Sequence, residues 1–346
     1  MRTWRTVREK LVRRRHRRAL VLLLVCLPVV LCVAAGVGAY PIAPWKVPGI
    51  LFRHAEAEGF RILAYIRFPR VALSAIVGAS LACAGASLQG LFRNPLADPG
   101  LLGVTSGAAV GAALWIVVLS GGWLGIWGLP VAAFAGSALV VSLIWRLARN
   151  TGRMATATLL LAGIALNSIA GAIIGLLTFL ADSEELRGLT FWQLGGFSHA
   201  TWPLTILTLV LCTGGLAVLL RAGNALNALT LGEAEAYNLG VSTEAVKRRI
   251  VFGCAVTVGA GVAAAGGIGF VGLVVPHLLR ITVGADHRWL LPGSAIAGAI
   301  LLTAADLGAR TVALPAEMPV GIITAVLGGP FFLWLLIRYR RELVHA

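Results

Sequence analysis

The chain has 346 residues, of which 58% are hydrophobic and only 12% charged, with a formal net charge of +15; its mean hydropathy is +0.89. Soluble domains carry about 25% charged residues, and a water-soluble fold of this length could not hide so much apolar surface, so lipid is the expected solvent. The positive charge would suit nucleic acid if it lay on a soluble face, but the basic residues gather at the ends of apolar runs, which points to a membrane protein with no nucleic-acid partner.

Taken in order, the chain opens with nine Lys or Arg between Arg2 and Arg18. The next apolar run, Ala19 to Val37, is longer than the roughly 7–15 residues of a signal-peptide core, so an uncleaved first membrane helix is expected. Ten apolar segments are predicted in all: 19–39, 71–91, 101–119, 123–145, 154–181, 202–220, 250–267, 270–283, 289–306 and 318–337. A spanning helix needs about 20 residues, and 101–119 and 270–283 are short, with Gly or Pro at their flanks. The prediction is an all-α, polytopic fold in one membrane domain, 1–346, with a basic cytoplasmic tail (1–18) and cytoplasmic helices at 227–246. With the N-terminus inside, 22 of the 29 Lys and Arg fall on the cytoplasmic side and seven outside, the bias that sets orientation. An even helix count returns the C-terminus to the cytoplasm.

The 42 glycines predict closely approaching helices, since packing of small residues holds bundles together in lipid. Cys26, Cys32, Cys83, Cys212 and Cys254 all lie within apolar runs and form no CxxC pair, which indicates neither a disulfide framework nor a metal site. A weak internal echo joins "VGASLACAGASLQG" from Val77 to "VGAGVAAAGGIGFVG" from Val258; five helices apart, the two would run in opposite directions, as in an inverted repeat. Between the second and third segments, "LQGLFRNPLADPGLLGVTSG" (88–107) breaks the apolar pattern abruptly. Pro95 and Pro99 stop helix continuation, and Asn94 and Asp98 can cap the next helix.

Further on, "NALTLGEAEAYNLGVSTEAVKRR" (227–249) reads as a short helix ended by Gly240 and a second beginning near Ser242. Ala245 leaves the capping box incomplete, though Ser-Thr-Glu supplies a cap and a dipole-favouring acid. The chain contains no GxxxxGK[ST] phosphate loop, so it carries no ATPase chemistry of its own and no catalytic residue is assigned. Almost every charge sits at a helix end. Asp306 is the exception, read as a capping or packing group rather than an ion relay.

"RFPRVALSAIVGASLACAGASLQGLFRNPLADPGLLGVTSGAAVGA" (67–112) resembles the signature region of the permease subunits of type II ABC importers, which move ferric siderophores, haem and cobalamin across bacterial inner membranes. The resemblance continues in "LLLAGIALN" (159–167), "FWQLGGF" (191–197), "LGEAEAYNLGV" (231–241), "GFVGLVVPHLLR" (269–280) and "LPAEMPVGIITAVLGGPFFLWLL" (314–336). It implies ten helices per subunit, a homodimer around a central pathway, two cytoplasmic ATPase subunits that bind the ATP and magnesium, and a periplasmic binding protein. No cofactor or metal is implied in this chain.

The resemblance also assigns roles. Gly232, Glu233, Ala234, Tyr237 and Gly240 would belong to the element that docks into the ATPase. Arg67, Arg70 and Arg310, on the outer side, would grip carboxylates of the binding protein, a task that suits the guanidinium fork. Asn94, Leu96, Thr156 and Ala157 would form the cytoplasmic gate, with Ala157 standing where a hydroxyl is expected. Arg187, in "DSEELRGLTFWQLGGF", lies beside the pathway. Two copies in a homodimer would match the two propionates of haem, unless Glu184 and Glu185 neutralise it. Siderophore and cobalamin stay open as cargo. His277 belongs to the shared motif and reads as structural, and His54 and His199 lie in outer loops. The alternative from another class is an ion-coupled secondary transporter.

Overall fold

The computed structural model describes residues 2–38, 40, 42–47, 49–50, 57–119, 124–149 and 156–344, and within these the side chains of 2–13, 44, 57, 149, 156–157, 336 and 338–344 are left undescribed. The described residues are helical, with no strand. The helices are α1 (Arg2–Gly36), α2 (Phe68–Phe92), α3 (Val104–Val117), α4 (Gly128–Arg149), α5 (Thr156–Leu180), α6 (Ser183–Leu194), α7 (Trp202–Leu220), α8 (Gly223–Leu229), α9 (Glu233–Asn238), α10 (Thr243–Ala265), α11 (Val271–Thr282), α12 (His287–Ala309) and α13 (Val320–Val344). Among the described residues, seven stretches are long and apolar enough to cross a membrane, and three shorter apolar helices, Val104–Val117, Val271–Thr282 and Val320–Leu335, complete the ten predicted segments.

The boundaries differ in three places. The basic start and the first span are one helix, α1. The second span starts earlier than predicted, through Ala57–Arg61 and a π-helical stretch, Ile62–Arg67, ahead of α2. The predicted second cytoplasmic helix and the seventh span are likewise one element, α10, with Ser242 at its N-cap.

Helix α2 is the axis of the bundle. It packs against α7, α10, α11 and α12, and all but a few of its residues are buried. Its interior is built of Gly, Ala, Ser and Cys because neighbouring backbones lie almost in contact with it. A Cβ on Gly78 would strike the Gly298 carbonyl of α12, and one on Gly85 would strike Gly272 of α11. Helix α5 shows the opposite pattern. Leu161, Ile164, Leu176 and Phe179 are exposed, so its large apolar side chains are not covered by the described residues of this chain. The two echo helices pack on one another in antiparallel register: Cys254 Sγ lies 3.8 Å from the Ala84 carbonyl, while Gly261 sits against Val77.

Candidate functional site

At the end of the bundle expected to face outward, three irregular segments meet where helices stop. Gly196 N donates to the Ala265 carbonyl at 2.8 Å, and Val320 N donates to the Gly195 carbonyl at 3.0 Å. Non-helical backbone at membrane depth is stable only where it is buried in protein or lines a cavity. Here it lines a cavity of about 860 Å³, walled by Trp127, Phe191, Trp192 and Phe197, with Arg187, His199 and Glu317 among its polar groups. That size falls in the roughly 300–1,000 Å³ of small-molecule sites.

Arg187 stands on α6, a helix beyond the ten apolar segments. Asp182 caps α6 by accepting from Glu184 N and Glu185 N, and the Glu185 side chain accepts from Asp182 N at 2.9 Å, closing a capping box. Glu185 is thus turned toward its own helix end. Arg187 is exposed and makes no hydrogen bond or ion pair with a described residue, so the local neutralisation by Glu184 and Glu185 does not form.

The three outer arginines behave differently. Arg67, Arg70 and Arg310 are 4%, 8% and 6% exposed. Arg67 donates to the Ala35 and Gly36 carbonyls at 2.7 Å and to Tyr40 O, and Arg310 donates to Ala34 O. Together they satisfy the carbonyls that the end of α1 leaves open. Arg70 pairs with Asp306 at 3.0 Å and Glu317 at 2.8 Å, and Asp306 also faces Arg310 at 3.6 Å. Asp306 is therefore a fully buried counter-ion between two arginines. Only Arg70 of the three lines the cavity.

On the side expected to be cytoplasmic, α8, α9 and the start of α10 form one unit. Lys247 pairs with Glu233 at 2.8 Å, and Val241 N donates to the Ala236 carbonyl at 3.0 Å. Gly232 (φ 126°) and Gly240 (φ 81°) bracket α9 in conformations that side chains resist. Ala236 is buried, whereas Leu231, Ala234, Leu239 and Tyr237, 73% exposed, face outward. The result is a six-residue helix with an apolar tip.

The turn after α2 explains the broken apolar pattern. Arg93 adopts a left-handed backbone (φ 50°), and Asn94 N reaches back to the Gln89 carbonyl at 3.2 Å. Asn94 Oδ1 then accepts from Leu96 N at 2.9 Å, and Asp98 caps Pro99–Leu102 by accepting from Gly100 N at 2.8 Å. Burial raises the Asp98 carboxyl above its ordinary range. Asn94 and Leu96 are exposed. Asn167 of α5 fixes the turn by donating to the Gly100 carbonyl at 3.0 Å. Thr156 and Ala157 open α5, and their side chains lie outside the described residues.

Among the histidines, His277 is buried with its ring 5.9 Å from Phe331, and His199 lines the outer cavity with Nδ1 3.0 Å from Ser198 Oγ. His54 lies outside the described residues.

Residues 23–338 match the FecCD transport family. The chain is 48% identical over 279 residues to the hemin transport system permease protein HmuU of Yersinia pestis, covering 80% of this chain and 83% of that protein. The chain belongs to the FecCD transport family. It is also 40% identical over 328 residues to the vitamin B12 import system permease protein BtuC of an Escherichia coli strain, covering 95% of this chain and 98% of the relative. A cobalamin import system permease protein of Halobacterium salinarum is 45% identical over 275 residues, covering 80% of this chain and 73% of the relative. Among solved structures, an inward-facing metal-chelate type ABC transporter matches with a TM-score of 0.83 and 32% identity, covering 93% of this chain and 99% of that one.

Several residues of this FecCD-family chain carry no mark of their role in the sequence. Glu317 and Asn167 read as ordinary loop and helix residues, because only the tertiary fold brings them to Arg70 and to Gly100. Helix α6 has a usable signal, the Asp182–Glu185 spacing of a capping box.

Proposed function

We propose that the chain is the membrane-spanning permease subunit of an ATP-driven importer for a metal-containing chelate, with haem the favoured cargo. In this reading it works as a homodimer in a bacterial inner membrane, both termini cytoplasmic, and alternates between outward and inward access. Two partner ATPase subunits dock on the tip formed by Gly232, Glu233, Ala234, Tyr237 and Gly240, and a periplasmic binding protein delivers cargo to the outer cavity. Arg67, Arg70 and Arg310 anchor that outer face. Arg70 is the one a binding-protein carboxylate reaches without opening the contacts to α1. Asn94, Leu96, Thr156 and Ala157 gate the cytoplasmic end.

The observation that carries the cargo assignment is an Arg187 with no partner among the described residues, in an aromatic-walled cavity. A two-fold pair of chains presents two such guanidinium forks, matching the two propionates of haem, and each fork can bind a carboxylate bidentately. The likeness to a hemin permease supports this choice; the cobalamin permeases make cobalamin the second reading. The test is uptake of haem, cobalamin and a ferric siderophore by vesicles holding the assembled importer, beside an Arg187→Ala variant. Haem uptake reduced roughly tenfold in the variant is expected from losing a charge-assisted pair. Unchanged haem uptake, or transport of cobalamin alone, contradicts the assignment.

A further inference from the structure

We propose that Asn227 and His287 are positioning residues that tie the ATPase-docking unit to the gate turn, so that displacement of α9 reaches Asn94 and Leu96 by direct contact. The inference rests on the reading of 231–241 as the docking element and of the turn after α2 as the gate.

Helix α8 stands between the two. It contacts α9, α2 and α12, and it joins α9 through a tight link in which Gly232 N donates to the Leu229 carbonyl at 3.1 Å. The Asn227 amide clasps the first turn of α12. Its Nδ2 donates to Asp286 Oδ1 at 2.7 Å, while its Oδ1 accepts from His287 N at 2.9 Å and lies 2.9 Å from His287 Nδ1. One residue earlier in the same helix, Leu226 is fully buried.

With Nδ1 donating to Asn227, His287 Nε2 is left buried and without a hydrogen-bond partner among the described residues. It is aimed at Gly90 of α2, where a Cβ would collide with it and would sit 3.1 Å from Leu226. An orphaned buried nitrogen costs stability that an apolar side chain would spare, so the histidine serves its other face, the clasp to Asn227.

Gly90 and its neighbour Gln89 carry the gate turn. Arg93 N and Asn94 N donate to their two carbonyls at 3.4 and 3.2 Å. Gln89 is held from the other side by Arg280 of α11 at 3.1 Å and by its own bond to the Gly272 carbonyl at 3.3 Å. The last turn of α2 is therefore gripped between α11 and the α8–α12 pair. Close-packed contacts of this kind transmit small shifts, because they rearrange between discrete packings rather than deform.

The experiment uses the full chain assembled with its ATPase subunit in vesicles, reading haem and cobalamin uptake per ATP hydrolysed. Gly90→Ala is expected to lower that ratio about tenfold and Asn227→Ala about fivefold. Adding His287→Ala to Gly90→Ala removes the collision but also the side-chain half of the clasp to Asn227, so the ratio should recover no further than about the Asn227→Ala value. A second readout labels Leu96→Cys with a membrane-impermeant maleimide. ATP should change its labelling rate in the parent and leave it unchanged in the Asn227→Ala background, and this holds per folded molecule even where yield falls. The proposal is overturned if the double variant returns to the parent ratio, or if Asn227→Ala keeps both the parent ratio and the label response. A parent chain that never assembles with an ATPase overturns the docking reading, and this one with it, and is recognised by the missing complex.

Discussion

The two ends of α2 are held by different physics. At the end expected to face outward the fastening is ionic: Arg70 and Arg310 enclose the buried Asp306, and Arg67 joins Arg310 in binding the last carbonyls of α1. At the end expected to be cytoplasmic it is chiefly steric, a glycine against a histidine ring and a leucine, with one amide bond to the Asp286 carboxylate and one from the Arg280 guanidinium beside it. Buried charges are costly to separate from their partners, so the outer end resists change. Close steric contacts exchange between discrete packings at less cost than a buried ion pair is broken, so this end is the one suited to move.

The largest expected effect comes from breaking the ionic end. Asp306→Ala leaves two buried guanidinium groups facing each other and should destabilise the protein by about 3–5 kcal/mol, read as a fall in melting temperature in detergent. Replacing Arg70 and Asp306 together by apolar residues of similar volume should recover most of that loss. A double variant no more stable than Asp306→Ala would show that the outer end is not fastened by charge.

A smaller effect is expected at the exposed tip. Tyr237→Ala removes its largest apolar group and should weaken ATPase binding by about 2 kcal/mol, the scale of an interface hot spot, with the melting temperature of the isolated chain unchanged. Co-purification yield and titration of the ATPase onto the immobilised chain both measure it. Equal affinity would place the docking surface elsewhere.

The smallest effect sharpens the contrast through pH. Asp286 caps α12 and pairs with Arg288 at 2.6 Å, and this pairing holds its carboxyl well below the usual range. A depressed carboxylate contributes stability that is present above the unfolded value of about 3.9 and fades as pH falls below it. Arg288 is largely exposed, so the contribution should be under about 1 kcal/mol. Asp286→Asn should lower the melting temperature slightly at pH 7, and the difference should close as the medium is acidified below about pH 4.

Much of this architecture is written in the apolar runs. All ten predicted segments correspond to helices; of the two short ones, Val104–Val117 begins after Gly103 and ends at Val118, and Val271–Thr282 begins after the left-handed Phe270 and carries Pro276 inside it. The turn at 93–103 comes from Asn94, Asp98 and two prolines, residues whose capping chemistry is local. The features the sequence conceals depend on distant partners. Arg67, Arg70 and Arg310 look like surface cations at helix ends, and nothing in their neighbours announces that α1 and Asp306 absorb them. Asp306 looks like a packing group because its two partners lie on other turns and other helices. Helix α6 escapes the apolar pattern because it is too polar for a span, and its capping box is the one local sign of it.

The central claim is that transport here draws on ATP hydrolysed by a separate subunit docked at 231–241. It is tested most directly by reconstituting the chain with its ATPase subunit and the binding protein, and measuring cargo accumulation in vesicles when ATP is supplied on the ATPase side. The account predicts accumulation that requires ATP, ceases without the ATPase subunit, and drops in Tyr237→Ala vesicles. Accumulation by the chain alone, driven by a proton or sodium gradient and indifferent to ATP, would contradict it.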